Sequence, residues 1–155
     1  MFLVSDTPSG RAAKLKRVAA LDSNVAVIVA AAHLEWTIRR AIIVLSPLPN
    51  HELRPHLAKA RGLMDLKRVW ANDIARGTGH PRLPVLIADW QFVNEKAWAL
   101  RNRMIHGGAG AGERVALLQF HRLLEAAEVI RRYVESQGAN LYRRLPVRRK
   151  PLLNF

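Results

Sequence analysis

The chain has 155 residues, 50% of them hydrophobic and 24% charged, which gives it the size and apolar content of one domain with a single core. Cysteine is absent, excluding disulfides, thiolate metal sites and a cysteine nucleophile; the longest apolar run, Val25 to Ala32, ends at His33, short of the about 20 residues that a membrane span requires. Lys and Arg number 25 against 12 Asp and Glu, and the resulting net charge of +13 favours a polyanionic partner.

Alternating strand patterns are missing and aromatic residues make up only 6%, so helices are predicted throughout. A short helix is expected across Arg11 to Leu21. A long one starts at Asp22 or Ser23, both good N-cap residues, and runs to about Ser46, where Pro47 and Pro49 stop it. Its apolar positions Val25, Ile28, Val29, Ala32, Trp36 and Ile43 keep helical spacing. The next helix is expected from Pro55, a first-turn residue, to Ile74, with Leu63, Leu66, Trp70 and Ile74 on one stripe and a bend at Gly62. Gly77, Gly79, Pro81 and Pro84 mark a connection. Helix resumes near Leu86, with Trp90, Val93, Ala97, Leu100 and Met104 on one face, and reaches Ile105. A glycine loop over 107–112 then leads into a last helix from Glu113 to Gln137. Four amphipathic helices predict an all-α fold, an antiparallel four-helix bundle over 22–137, flanked by an N-terminal extension (1–21) and a basic C-terminal tail (138–155).

The chemistry-bearing segment is Arg101-Asn102-Arg103-Met104-Ile105-His106-Gly107, at the end of the third bundle helix. In unbroken helix His106 would share a face with Asn102 and point away from Arg101, so termination after His106 is needed to bring imidazole and guanidinium together. Histidine exchanges protons near neutral pH and a planar guanidinium binds phosphate through two hydrogen bonds. Together they supply what phosphodiester cleavage needs. The sequence has no carboxylate cluster of the kind that holds paired Mg²⁺ ions, so the 2′-hydroxyl of RNA is the expected nucleophile and no cofactor or metal is expected.

The Arg101-Asn102-x-x-x-His106 spacing, followed by the small residue Gly107, resembles the signature of the HEPN superfamily. The resemblance covers about Asp22 to Gln137. It implies a compact helical bundle and a metal-independent endoribonuclease. Arg101 and His106 would be the catalytic residues, arranged in a homodimer whose protomers both supply them to one cleft. Many such proteins are toxins or defence effectors held by an antitoxin protein. The alternative within the family is a noncatalytic regulator that binds nucleic acid or protein. One subgroup carries Tyr two residues after the His, where this chain has Gly108.

The same bare spacing recurs at Arg114 and His121, which fall on the polar face of the last helix and read as solvated surface. Around the main site, Asn102 is expected to orient His106 or touch phosphate. Glu35 is a candidate to hold Arg101 from across the bundle, with an i,i+4 pair to Arg39 as the competing reading. Trp98 is expected to border the cleft and Arg103 to contact RNA. In the tail, Arg143, Arg144, Arg148, Arg149 and Lys150 stand with no acid among them, so they are candidates for phosphate contact or for a solvated end. His33 reads as a partly buried, hydrogen-bonded histidine. No signal-like apolar run precedes Arg11, so a cytoplasmic location is expected.

Overall fold

A computed structural model describes residues 6–148. Helix α1 spans Pro8–Leu21; Thr7 caps it by accepting the Gly10 N–H at 3.0 Å, and Pro8 sits in the first turn, where no backbone donor is needed. Asp22 gives its own N–H to the Val18 carbonyl and takes the N–H groups of Asn24 and Val25 on its carboxylate, closing α1 and opening α2 (Ser23–Leu45). One residue therefore serves two helix ends, and α1 folds back on α2. After these come α3 (Asn50–Lys59), α4 (Leu63–Trp70) with a π-helical turn over Ala71–Ala75, and the short α5 (Leu83–Leu86). A composite helix follows: α6 (Trp90–Phe92), a π-helical stretch Val93–Trp98 and α7 (Ala99–Ile105). The last is α8 (Glu113–Ser136). The described residues contain no strand, so the all-α class expected from the sequence holds.

The single helix expected over Pro55 to Ile74 is two helices. Pro55 lies inside α3, which starts at Asn50, and the chain turns at Gly62, whose φ of 130° few other residues adopt. Arg39 of α2 donates to the carbonyls of Leu57 and Ala60, each at 2.7 Å, supplying partners that the end of a helix lacks. The extra helix changes the path of the chain. Asn24, at the start of α2, bonds Ala111 just before α8, while Arg40 near its end bonds the Leu141 carbonyl just after α8. Hence α2 and α8 lie side by side in the same direction, in the most extensive packing of the fold, whereas the antiparallel four-helix bundle expected from the sequence would set its first and last helices in opposite directions.

The buried face of α2 also differs from the expected stripe. Val25 is 45% exposed, and the fully covered positions are Ala26, Val27, Ala30, Ala31, Leu34, Ile38, Ala41 and Ile42. Helix α2 is apolar nearly all round and touches α1, α4, α7 and α8, so its hydrophobic residues did not single out a face. Alanines, which let helices approach closely, mark its buried side and recur on α8 at Ala116, Ala126 and Ala127. The stripes Leu63, Leu66, Trp70, Ile74 and Trp90, Val93, Ala97, Leu100 are buried as expected, while Met104, the last of the second stripe, is only partly buried.

Helix α1 and the described segment after α8 both lie against α2. Arg11 of α1 is 1% exposed with its guanidinium 3.6 Å from the Trp36 ring centroid and 5.6 Å from that of Tyr142. Beyond α8, Leu141 is buried, and Arg148 reaches the Val44 carbonyl at 2.6 Å while exchanging hydrogen bonds with Asn50.

Candidate active site at the end of α7

Helix α7 stops where the sequence suggested. His106 is its C-cap, at φ −96° and ψ 20°, and Gly107 follows at φ 82°. The Gly108 N–H reaches the Arg103 carbonyl at 2.8 Å and the Gly107 N–H that of Met104 at 3.2 Å, the paired bonds of a Schellman ending. A side chain on Gly108 would place Cβ 2.8 Å from the Arg103 carbonyl oxygen, so the turn closes only around hydrogen there. The loop is then tied to the far end of the chain: Asn24 donates to the Ala111 carbonyl and accepts its N–H, both at 2.9 Å. Gly110 makes room for this clamp, since a Cβ there would lie 2.7 Å from Asn24 Oδ1. Asn24 has no signal in local spacing, because its partner is 87 residues away.

Arg101 is half-buried. Its Nη1 donates to Asn102 Oδ1 at 2.9 Å, and its guanidinium carbon lies 5.0 Å from the Trp98 ring centroid. Asn102 in turn lies one helical turn below His106, whose N–H reaches the Asn102 carbonyl at 3.2 Å. The imidazole of His106 is exposed. The Asn102 side chain thus holds the guanidinium while its backbone carbonyl takes the backbone N–H of His106, and no hydrogen bond joins Arg101 to His106 directly.

The flanking candidates separate into those near the site and those engaged elsewhere. Trp98 is only 6% exposed, so it is a support under Arg101 rather than an open platform for a base. The sequence placed it off the buried stripe because a 3.6-residue period was assumed, whereas the π-helical turn admits one more residue to the buried face. Glu35 does not bond Arg101; it accepts from Arg39 Nε and Nη2 at 2.9 and 2.8 Å, and so steadies the arginine that holds the end of α3. Arg103 Nε donates to the Ala109 carbonyl at 2.8 Å, bracing the glycine loop while the residue stays exposed. Arg114 and His121 are exposed on α8.

Arg143 and Arg144 are exposed, but Arg148 is drawn into the carbonyls that end α2. Arg149 and Lys150 lie outside the described residues. Arg148 is held at Val44 and the glycine loop at Asn24, so the length of α2 between them, about 30 Å, separates Arg148 from the candidate site within one protomer.

A second polar group, unmarked by any motif, surrounds His33. Its ring stacks on Trp36 at a 6.0 Å centroid distance, beneath the Arg11 guanidinium. Burial, with Arg11 close by, pushes His33 down to about 4, so the imidazole is neutral at physiological pH. Among the described residues no group of three or more His, Cys, Asp or Glu is placed to hold a metal ion, and no helix is long and apolar enough to cross a membrane. Comparison with protein-family models, curated proteins and solved structures gives no match for this chain.

Proposed function

We propose that the chain is a HEPN-like, metal-independent endoribonuclease, a cytoplasmic toxin or defence effector, with Arg101 and His106 as its catalytic pair. The observation that carries this reading is the α7 terminus: a guanidinium held by Asn102 and Trp98, one helical turn from an exposed imidazole, beside a loop of minimal bulk. On this reading α2, α4, α6–α7 and α8 make up the bundle of the family, with α3 inserted. His106 would take the proton of a 2′-hydroxyl, or give one to the leaving 5′-oxygen. Attack of that 2′-oxygen on phosphorus breaks the P–O5′ bond and yields a 2′,3′-cyclic phosphate and a 5′-hydroxyl. Arg101 would stabilise the charge that builds on the phosphoryl oxygens. Because acid and base are both needed and one protomer offers one such histidine, a homodimer with facing α7 ends would complete the centre. The net charge of +13 supports an RNA substrate and, between uses, an acidic antitoxin.

The test is cleavage of end-labelled RNA in EDTA. Wild type should cut RNA but not DNA, His106→Ala should lose about 100-fold or more, and Arg101→Ala should lose comparable activity. Full activity in His106→Ala would refute the site. RNA retained on the protein without cleavage, weakening steeply with salt, would favour the noncatalytic regulator instead.

A further inference from the structure

Beside the candidate catalytic pair, one hydrogen-bond donor is left without an acceptor. Trp98 is 6% exposed, yet among the described residues none accepts its indole N–H, and Nε1 itself is not enclosed: the ring is covered while its N–H edge reaches the surface. Trp70, in contrast, gives its N–H to the Pro81 carbonyl at 2.9 Å. The α3–α4 turn stands opposite Trp98 Nε1 with Gly62, where a Cβ would be 3.8 Å away. A φ of 130° favours glycine at this position, and the same missing side chain leaves the N–H open.

The polar groups around this edge are donors or carboxylates already engaged. The Arg101 guanidinium carbon is 5.0 Å from the Trp98 ring centroid; Nη1 is given to Asn102 Oδ1, while Nε and Nη2 have no acceptor among the described residues, and no carboxylate there pairs with Arg101. Asn102 uses its acceptor in that bond, so its amide has only N–H groups left to offer strongly. Three carboxylates stand on adjoining elements, each with a partner of its own: Glu35 takes Arg39 at 2.8 Å, Asp65 takes the Arg61 N–H at 2.9 Å, and Glu95 takes Gln91 at 3.3 Å. Nε1 lies at the rim of the ring beside the guanidinium, and two oxygens of one phosphate, each accepting at about 2.9 Å, bridge donors about 5–6 Å apart. An anionic oxygen is the acceptor that suits both, since hydrogen bonds to charged groups are the stronger ones. We propose that Trp98 is a substrate-contact residue whose indole N–H, together with Arg101, holds one phosphate group of RNA. This rests on the ribonuclease reading and adds to it a second donor. A ring fixed by packing carries that donor, so it is in place before charge builds on the phosphoryl oxygens. The π-helical stretch Val93–Trp98, which admits Trp98 to the buried face, is what sets it there.

The readout is the indole N–H region of the ¹H–¹⁵N spectrum of the wild-type protein, where the Trp98 signal is identified by its nuclear Overhauser contact with the Gly62 Hα. The probes are inorganic phosphate and a 2′-O-methylated RNA tetranucleotide, which lacks the nucleophile and stays intact. Each should move the Trp98 signal downfield saturably, while the Trp70 signal, its N–H held by Pro81, stays in place. Arg101→Ala should weaken the phosphate titration about tenfold. In the cleavage assay Trp98→Phe, which keeps an aromatic support under Arg101 without the N–H, should lose about 10–100-fold in kcat/KM. A Trp98 signal unmoved by both probes at about 10 mM, or a folded Trp98→Phe that cuts RNA at the wild-type rate, would overturn the proposal. The two readings fail separately. A saturable shift in a protein that cuts no RNA would uphold the phosphate contact and refute the ribonuclease, whereas RNA cleavage by wild type with an unmoved Trp98 signal would uphold the ribonuclease and refute the contact.

Discussion

A single buried residue, His33, shows how far the chemistry of a side chain depends on its surroundings. Its ring lies on Trp36 beneath Arg11, and burial together with that guanidinium lowers it to about 4 from an ordinary value of 6.5. Below pH 6.5 the unfolded chain takes up a proton at this position, and the folded chain resists until about pH 4. Over that window the unfolded state binds more protons, so stability declines as pH falls, by about 3 kcal/mol in total. Above pH 6.5 both states are neutral there and the contribution is constant. Urea unfolding at pH 7, 5.5 and 4.5 should show this decline, and His33→Gln should flatten it relative to wild type. The sequence reading of a partly buried histidine was sound in kind. What the sequence could not show is how completely packing removes water from the ring, the larger cause of the shift, and that the charge of Arg11, on a different helix with no motif joining the two, adds to it.

At the level of elements, the α7 ending is the part of the candidate site most legible in the sequence. A cationic, glycine-rich boundary after an amphipathic stripe reads as a helix C-terminus, and the Schellman bonds of Gly107 and Gly108 realise it. Gly108→Ala would drive Cβ to 2.8 Å from the Arg103 carbonyl oxygen and 2.5 Å from Arg103 Cγ, so the turn must open. We expect a loss of about 2 kcal/mol, seen as a Tm lower by about 6 °C, with His106 displaced and cleavage reduced in parallel. Gly112→Ser is the matched control, because a side chain there meets nothing within 4 Å and supplies an N-cap to α8; its Tm should stay level or rise slightly. Two elements escaped the sequence. Pro55 suggested a helix start because proline suits a first turn, yet α3 begins five residues earlier at Asn50 and holds Pro55 in its interior. The π-helical stretch Val93–Trp98 escaped for a related reason: a fixed period of 3.6 cannot represent a turn that takes in an extra residue.

For the molecule as a whole, the residues after α8 matter more than their basic composition suggested. Leu141 is 1% exposed, Tyr142 covers Trp36 at a 5.3 Å ring distance, and Arg148 caps the carbonyls of Val44 and Leu48. Ending the chain at Gly138 should therefore cost at least about 2 kcal/mol in urea unfolding and leave Trp36 more exposed to a fluorescence quencher, an outcome foreign to a merely solvated tail. Only Arg143 and Arg144 of the described tail remain open to an anion, and they lie at the end of the fold away from His106. A phosphate chain that touched both places at once would have to span the length of α2 or cross to a second protomer.

By itself the sequence determined the all-helical class, the boundaries of α2 and α8, the buried stripes of α4 and of the α6–α7 helix, and the termination of α7 at His106. These are local properties: capping side chains, apolar period and glycine act within a few residues of the chain. What only the tertiary structure decided is which groups meet. Asn24 with Ala111, Arg39 with Leu57 and Ala60, and Arg11 with Trp36 and Tyr142 join residues far apart in sequence, and each depends on how the helices pack rather than on local spacing. Glu35 illustrates the limit. Its bond to Arg39 is a four-residue pair that the sequence could name, but that the same arginine also secures α3, away from Arg101, follows from helix packing alone.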